Sequence, residues 1–186
     1  MNDDFYQRTQ IIIGKENIEK IKDMHIVICG IGGVGSFVLE ALARIGVGNL
    51  TIIDKDVVDA TNINRQIIAL QSTIGKYKVD VAKERILDIN PKAKVKTICI
   101  NITSDNIDEI ISIDDNIDYV VDCVDNIEAK IAIISKCNNK NIKCISCMGM
   151  GNKINPLDIR VSDIYKTNTC PLARIIRKKL KELGIN

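Results

Sequence analysis

No stretch of this 186-residue sequence approaches the ~20 consecutive apolar residues of a membrane-spanning helix. Its first ten residues, MNDDFYQRTQ, are polar and acidic, without the apolar core of a secretory signal. Both absences predict a cytoplasmic protein with no membrane segment. Tryptophan is missing, and two phenylalanines and four tyrosines leave little to stack on unpaired bases. A net charge of +2 does not by itself announce a nucleic-acid binder. Internal repeats and Pro/Gly/Ser-rich linkers are also absent, which predicts one domain over 1–186. Cys144 and Cys147 form a C-x-x-C, but no second pair exists, so tetrahedral zinc is not expected. In a strand those two side chains point to opposite faces.

What is present organises itself around residues 25–54. His25 to Cys29 is a short Ile/Val-rich run, the composition of a strand buried on both faces. Gly30, Gly32, Gly33 and Gly35 follow at once. Val34, Val38, Leu39, Leu42 and Ile45 then recur at helical spacing, and Gly46 and Gly48 end the helix. Leu50 to Ile53 is a second strand, closed by Asp54. This is a βαβ unit with a G-x-G-x-x-G turn and an acid ~20 residues on, the fingerprint of a nucleotide site. Gly30 permits the tight turn, Gly32 lets backbone N–H groups approach phosphate, and Gly35 lets the helix pack on the strand. The helix N-terminus supplies partial positive charge, and Asp54 is placed to accept hydrogen bonds from ribose hydroxyls.

The rest of the chain alternates in the same way. Ile11, Ile12, Ile13, Ile18 and Ile21 suggest an apolar face packing on the domain. A helix is expected over 74–89 and a strand over 95–100. A short helix over 104–111 has Ser104 as its candidate cap, and a strand follows over 118–123. Another helix is expected over 129–137, a strand over 142–147 and a basic helix over 172–183. Alternating β and α elements predict an α/β, Rossmann-like, mostly parallel sheet with helices on both faces. Seven cysteines without an export signal read as reduced thiols. Cys29, Cys99, Cys123 and Cys144 sit in apolar runs as small core residues.

Ligands of such sheets collect at the carboxyl ends of the strands. Asp54, Asp56, Asn62, Arg65, Lys78, Asp125 and Asn126 all fall just past strand ends or in the following loop. A dinucleotide site needs few of them. Triphosphate chemistry needs cations to balance phosphate charge and a carboxylate to hold Mg²⁺. Each also has a bland reading: Lys78 as a solvated helix residue, Asp125 as the cap of the next helix.

GIGGVGS, LTIID, TNINRQ, IGKYKVDVAKERILDINP and VDCVDN, in that order, resemble the ThiF/MoeB-type, ubiquitin-activating-enzyme-like adenylation family. Within it the wording is most similar to the tRNA threonylcarbamoyladenosine dehydratases, through RTQIIIG, NINRQI and DIYKTNTCPLARIIRKKLKELGI. The resemblance implies that Gly30, Gly32, Gly33 and Gly35 lie along the phosphates of ATP and Asp54 on its ribose. Asp56 and Asn126, placed by their positions just past strand ends, are expected at the same nucleotide site. Asn62, Arg65 and Lys78 match phosphate-contacting residues, and Asp125 matches the Mg²⁺ aspartate. Arg8 matches an arginine that reaches across a homodimer to the partner's ATP. Arg8, Arg65, Lys78 and Asp125 are thus the implied catalytic set.

The implied reaction is adenylation of the threonylcarbamoyl carboxylate on tRNA, followed by ring closure with loss of AMP. Such a route requires no catalytic cysteine; Cys170, before Pro171, is the one thiol that a nucleophilic role would single out. Sulfur-transfer proteins (a cysteine desulfurase or sulfur acceptor) are further partners implied by the family. Its dehydratases usually continue for several tens of residues, so the expectation is an adenylation domain without the C-terminal extension. Alternatives are a sulfur-carrier or ubiquitin-like-protein adenylyltransferase, a non-catalytic nucleotide-binding module, and an NAD-dependent oxidoreductase. The oxidoreductase reading leaves Arg65, Lys78 and Asp125 without a common purpose. The basic helix, with Arg174, Arg177, Lys178, Lys179 and Lys181, is either a tRNA-phosphate surface or a solvated face.

Overall fold

The computed structural model describes residues 3–112, 116–151 and 153–185. Five parallel strands form one sheet in the order β3-β2-β1-β4-β5. They are β1 His25–Cys29, β2 Asn49–Ile53, β3 Lys94–Ile98, β4 Tyr119–Asp122 and β5 Lys143–Ser146. The chain winds outward from β1 to β3, then returns to place β4 on the other side of β1. The crevice at the carboxyl ends of β1 and β4 is therefore the topological switch point, where such sheets bind ligands.

Helices α3 (Gly35–Ile45) and α4 (Lys78–Ile89) cover one face of the sheet. Leu39, Ala43, Val79, Ala82 and Ile86 pack there on Ile26, Ile28, Leu50 and Ile52. On the other face, α5 (Ile107–Ser112) and α6 (Ile127–Lys140) bury Ile107, Ile110, Ala129 and Ile133 on Val27, Ile53 and Val120. The alternation of Ile26 and Ile28 with Val27 and Cys29 between the two cores is the two-residue period of a strand buried on both sides. Helix α7 (Pro171–Glu182) buries Ala173, Ile176 and Leu180 and leaves its Lys178 side exposed. Among the described residues no helix is long and apolar enough to cross a membrane.

Several sequence expectations shift. The helix expected over 74–89 begins only at Lys78. Gly75 has φ +83°, and Val57 pairs with Tyr77 in an antiparallel bridge, so 74–77 is spent on a turn. The α5 helix starts at Ile107, and Ser104 does not cap it: the Asn106 side chain accepts from Thr103 N–H and donates to Asn101 O. Helix α6 is longer than expected at both ends and stops at Asn141, whose φ is +53°.

The N-terminal apolar face is divided. In α2 (Lys15–Asp23) Ile18 is buried, whereas Ile11 and Ile12 of α1 (Gln7–Ile13) are 81% and 83% exposed. Three consecutive isoleucines in a one-sided helix cannot all face the core. Tyr6 ties this segment to the far end of α3, because a Cβ on Gly46 would lie 2.1 Å from its ring.

Candidate functional site

The turn after β1 is built by two glycines for two different reasons. Gly30 has φ +89°, and a Cβ there would lie 3.0 Å from Cys123 O. Gly35 opens α3 so close to the turn that a Cβ would sit 1.8 Å from Gly30 O and 3.3 Å from Cys123 Cβ. Helix α3 thus begins against the carboxyl ends of β1 and β4, and no side chain caps its N-terminus. The first-turn N–H groups of a helix have no intrahelical acceptor. Two of them turn back onto the glycine turn itself, Ser36 N–H on Gly32 O at 3.0 Å and Phe37 N–H on Val34 O at 3.1 Å, and an uncapped helix start at a switch point is in general where anions bind.

Asp54, just past β2, touches this turn. Its Oδ2 accepts from Ile31 N–H at 2.6 Å and its Oδ1 accepts from Asp56 N–H at 2.8 Å. The acid of the fingerprint therefore also holds the glycine turn and the following loop. Asp56 in turn accepts from Lys78 Nζ at 3.0 Å, and its carbonyl accepts Lys78 N–H at 2.9 Å. Lys78 is not a solvated helix residue: its side chain is only 7% exposed, with the ammonium held at Asp56.

The loop after Asp56 approaches the glycines from the side. A Cβ on Gly33 would lie 3.4 Å from Arg65 Cγ. The Arg65 Nη1 donates to Thr61 O and to Asn64 Oδ1, both at 2.9 Å, on an exposed surface. Ser36 Oγ accepts Ile67 N–H at 3.2 Å, fastening this loop to the start of α3. Asn62 is buried and serves the loop itself: Asp59 and Asn62 cap a short 3-10 turn reciprocally.

Gln66 was passed over as a site residue from sequence. It is buried, its Oε1 has no hydrogen-bond partner among the described residues, and its Nε2 is 4.0 Å from where a Gly32 Cβ would be. An unpaired buried amide oxygen costs about 1–3 kcal/mol, which a ligand on the loop could offset. Its position beside Arg65 was the available signal.

Beyond β4 the assignments divide cleanly. Asn126, not Asp125, caps α6, its Oδ1 accepting Ala129 N–H at 2.9 Å. Asp125 is exposed, and its carboxylate has no hydrogen-bond or ion-pair partner among the described residues. It follows Val124, whose N lies 3.1 Å from a Cβ on Gly30. Among the described residues no group of three or more His, Cys, Asp or Glu could hold a metal. Mg²⁺ is in general held by one or two carboxylates together with phosphate oxygens and water, so a lone Asp125 carboxylate fits only a site of that kind.

Beneath Asp125 lies a fully buried ion pair that sequence reasoning did not single out. Lys130 Nζ donates to Asp122 Oδ2 at 2.9 Å and to Cys147 O at 2.7 Å, and both side chains are 0% exposed. Ser146 also donates to Asp122. The pair ties the exit of β4 to the exit of β5.

The structure thus brings Gly30, Gly32, Gly33, Gly35, Asp54, Asp56, Arg65, Lys78, Asp125 and Asn126 around one crevice. Asn62 shapes its wall. Arg8 is not brought there: it is exposed on α1, two residues from Tyr6, at the end of α3 remote from the glycine turn.

The ThiF family model matches residues 6–172. A Bacillus subtilis tRNA threonylcarbamoyladenosine dehydratase is 44% identical over 180 residues, 97% of this chain and 70% of that protein. The Escherichia coli protein of the same name is 40% identical over 93% of this chain, which spans 64% of its length. Its crystal structure in complex with ATP superposes with a TM-score of 0.92 at 40% identity, over 97% of this chain and 74% of that one. A Thermus thermophilus sulfur carrier protein adenylyltransferase is 34% identical over 58% of this chain and 41% of that protein.

Proposed function

The chain belongs to the ThiF family, and we propose that it uses ATP to dehydrate N6-threonylcarbamoyladenosine, next to the anticodon of tRNA. The observation that carries this reading is the extent of the likeness. It runs through 97% of the chain to a dehydratase, including the irregular segment and α7 beyond the sheet. Likeness to a sulfur-carrier adenylyltransferase spans 58%.

In this reading the open N-terminus of α3 and the N–H groups of the glycine turn receive the phosphates of ATP. Arg65 and Lys78 offset their charge, with Lys78 exchanging Asp56 for a phosphate oxygen. Asp125 would hold Mg²⁺, which would supply further positive charge at the phosphates. The substrate carboxylate attacks the α-phosphorus and pyrophosphate leaves. The ureido group of the same modification then attacks the activated carbonyl, the ring closes, and AMP departs with the carboxylate oxygen. Donors already fixed around the phosphates make electrostatic stabilisation the main contribution of the protein. The second step is intramolecular, so effective molarity takes the place of an enzyme nucleophile.

Arg8 belongs to the proposal only through a homodimer. Its distance from its own glycine turn and the exposed Ile11–Ile12 pair beside it support a role in the partner's site. A cytoplasmic location and sulfur-transfer partners rest on the family likeness. The test is ATP-dependent pyrophosphate release with modified tRNA, unmodified tRNA or a sulfur-carrier protein. Release stimulated only by modified tRNA supports the dehydratase; release stimulated only by the carrier protein overturns it in favour of an adenylyltransferase.

A further inference from the structure

The nucleotide crevice has a floor of thiols that the dehydration chemistry does not use. In the parallel register Asp122 of β4 lies beside Ser146 of β5, and the next residue along each strand is a cysteine. Cys147 N–H donates to Asp122 O at 2.8 Å, continuing the ladder to the pair. The Cys123 and Cys147 sulfurs are 3.8 Å apart. Neighbouring strands lie about 4.8 Å apart, within the roughly 4.4–6.8 Å that Cα atoms of a disulfide span. The two sulfurs need only close to about 2.05 Å.

This pair is continuous with the site. A Cβ on Gly35 would be 3.3 Å from Cys123 Cβ, and one on Gly30 would be 3.0 Å from Cys123 O. No slack separates Cys123 from the glycine turn, and Asp125 follows two residues later. Cys147 is braced from below, where its carbonyl accepts Lys130 Nζ.

We propose that Cys123 and Cys147 are a reversible dithiol–disulfide pair through which hydrogen peroxide switches off nucleotide binding. The chemistry balances with one hydrogen peroxide. The Cys147 thiolate attacks the peroxide oxygen, the O–O bond breaks, and a sulfenic acid forms as hydroxide leaves. The Cys123 thiol then attacks the sulfenic sulfur and forms the S–S bond. Its proton leaves with the displaced hydroxide as water. Two thiols are oxidised and one peroxide is reduced to two waters.

The surroundings favour that order of attack. The hydrogen bond shared between the two sulfurs, helped by the Lys130 ammonium, draws the Cys147 pKa down to about 7 against burial and the Asp122 carboxylate. Cys147 is thus the attacking sulfur, and Cys123, 3.8 Å away, the resolving one. The C-x-x-C of the sequence is not the reactive unit. Cys144 packs among the α6-side core residues, whereas Cys147 meets Cys123.

Closing the bond draws Cys123 away from the contacts that shape the glycine turn. The consequence for ATP rests on the nucleotide reading above; the bond itself does not. The experiment treats the reduced full chain with hydrogen peroxide, blocks remaining thiols, and maps disulfides by peptide mass spectrometry. ATP affinity is measured calorimetrically before oxidation, after it, and after re-reduction. The expected result is a Cys123–Cys147 cross-link, an ATP affinity lowered tenfold or more, and recovery on reduction. A Cys147→Ser variant should bind ATP equally before and after peroxide. A different pairing, no cross-link, or a cross-link without change in affinity overturns the proposal. If the reduced protein binds no ATP, the functional reading fails and the switch fails with it, while the cross-link is still judged by mass.

Discussion

Replacing Lys130 by methionine should destabilise the fold more than any surface change near the crevice. Methionine keeps an unbranched stem in the same space but removes the ammonium. Lys130 Nζ is 2.9 Å from Asp122 Oδ2 and 2.7 Å from Cys147 O, and neither side chain of the ion pair has solvent contact. Among the described residues the variant would leave the Asp122 carboxylate with only Ser146 Oγ and Val124 N–H as donors. Breaking one partner of a buried pair costs about 3–5 kcal/mol, because the other charge stays buried. With a urea dependence of about 2 kcal/mol per molar, the unfolding midpoint should fall by roughly 1.5–2.5 M. Adding Asp122→Asn removes the stranded charge, so the double variant should recover about half of the loss. Equilibrium unfolding followed by circular dichroism reads both. A loss below about 1 kcal/mol for Lys130→Met, or a double variant less stable than the single one, would refute the reasoning that this pair clamps the exits of β4 and β5.

Three other outcomes are expected. Asp125→Ala should abolish Mg²⁺-dependent AMP formation while leaving the unfolding curve unchanged, since Asn126 and not Asp125 caps α6; unchanged turnover would remove Asp125 from the site. Arg8→Ala and Lys78→Ala subunits, each inactive alone, should regain activity in demonstrated mixed dimers, because one site per dimer then carries both side chains. Glu40 is held below its usual pKa by hydrogen bonds from Arg85 and Arg44, against some desolvation. Its contribution is therefore present above the unfolded value of 4.5 and lost as pH falls through the lower folded value. Glu40→Gln should cost about 1–2 kcal/mol at pH 7 and nothing in acid below that folded value, read by denaturation at each pH.

The parts of this site that repeat along the chain were legible before the structure. Strand runs, the glycine spacing and the helix after it are local patterns. Gly30 and Gly35 have the backbone angle and the close approach that their spacing implies. The residues just past strand ends gather at the switch point, because the parallel topology leaves them nowhere else to go. What the sequence hid was pairing across distance. Lys78 resembles any helix-surface lysine until its ammonium is seen on Asp56, 22 residues earlier. Asn126 and Asp125 are equally good caps on composition, and only geometry chooses Asn126. The Lys130–Asp122 pair had a signal: an aspartate inside the apolar run YVVDC, with a lysine on the face marked by Ala129, Ile133 and Cys137. Ile11 and Ile12 misled because hydrophobicity alone does not distinguish a core from an exposed apolar surface.

Removal of water from threonylcarbamoyladenosine at the expense of ATP is the activity proposed for this chain. The most direct measurement is mass spectrometry of nucleosides from tRNA carrying that modification, incubated with the protein, ATP and Mg²⁺. The account predicts that the modified nucleoside loses the mass of one water, only when ATP is present, with AMP formed in equal amount. An unchanged nucleoside in the presence of protein that binds ATP would contradict it.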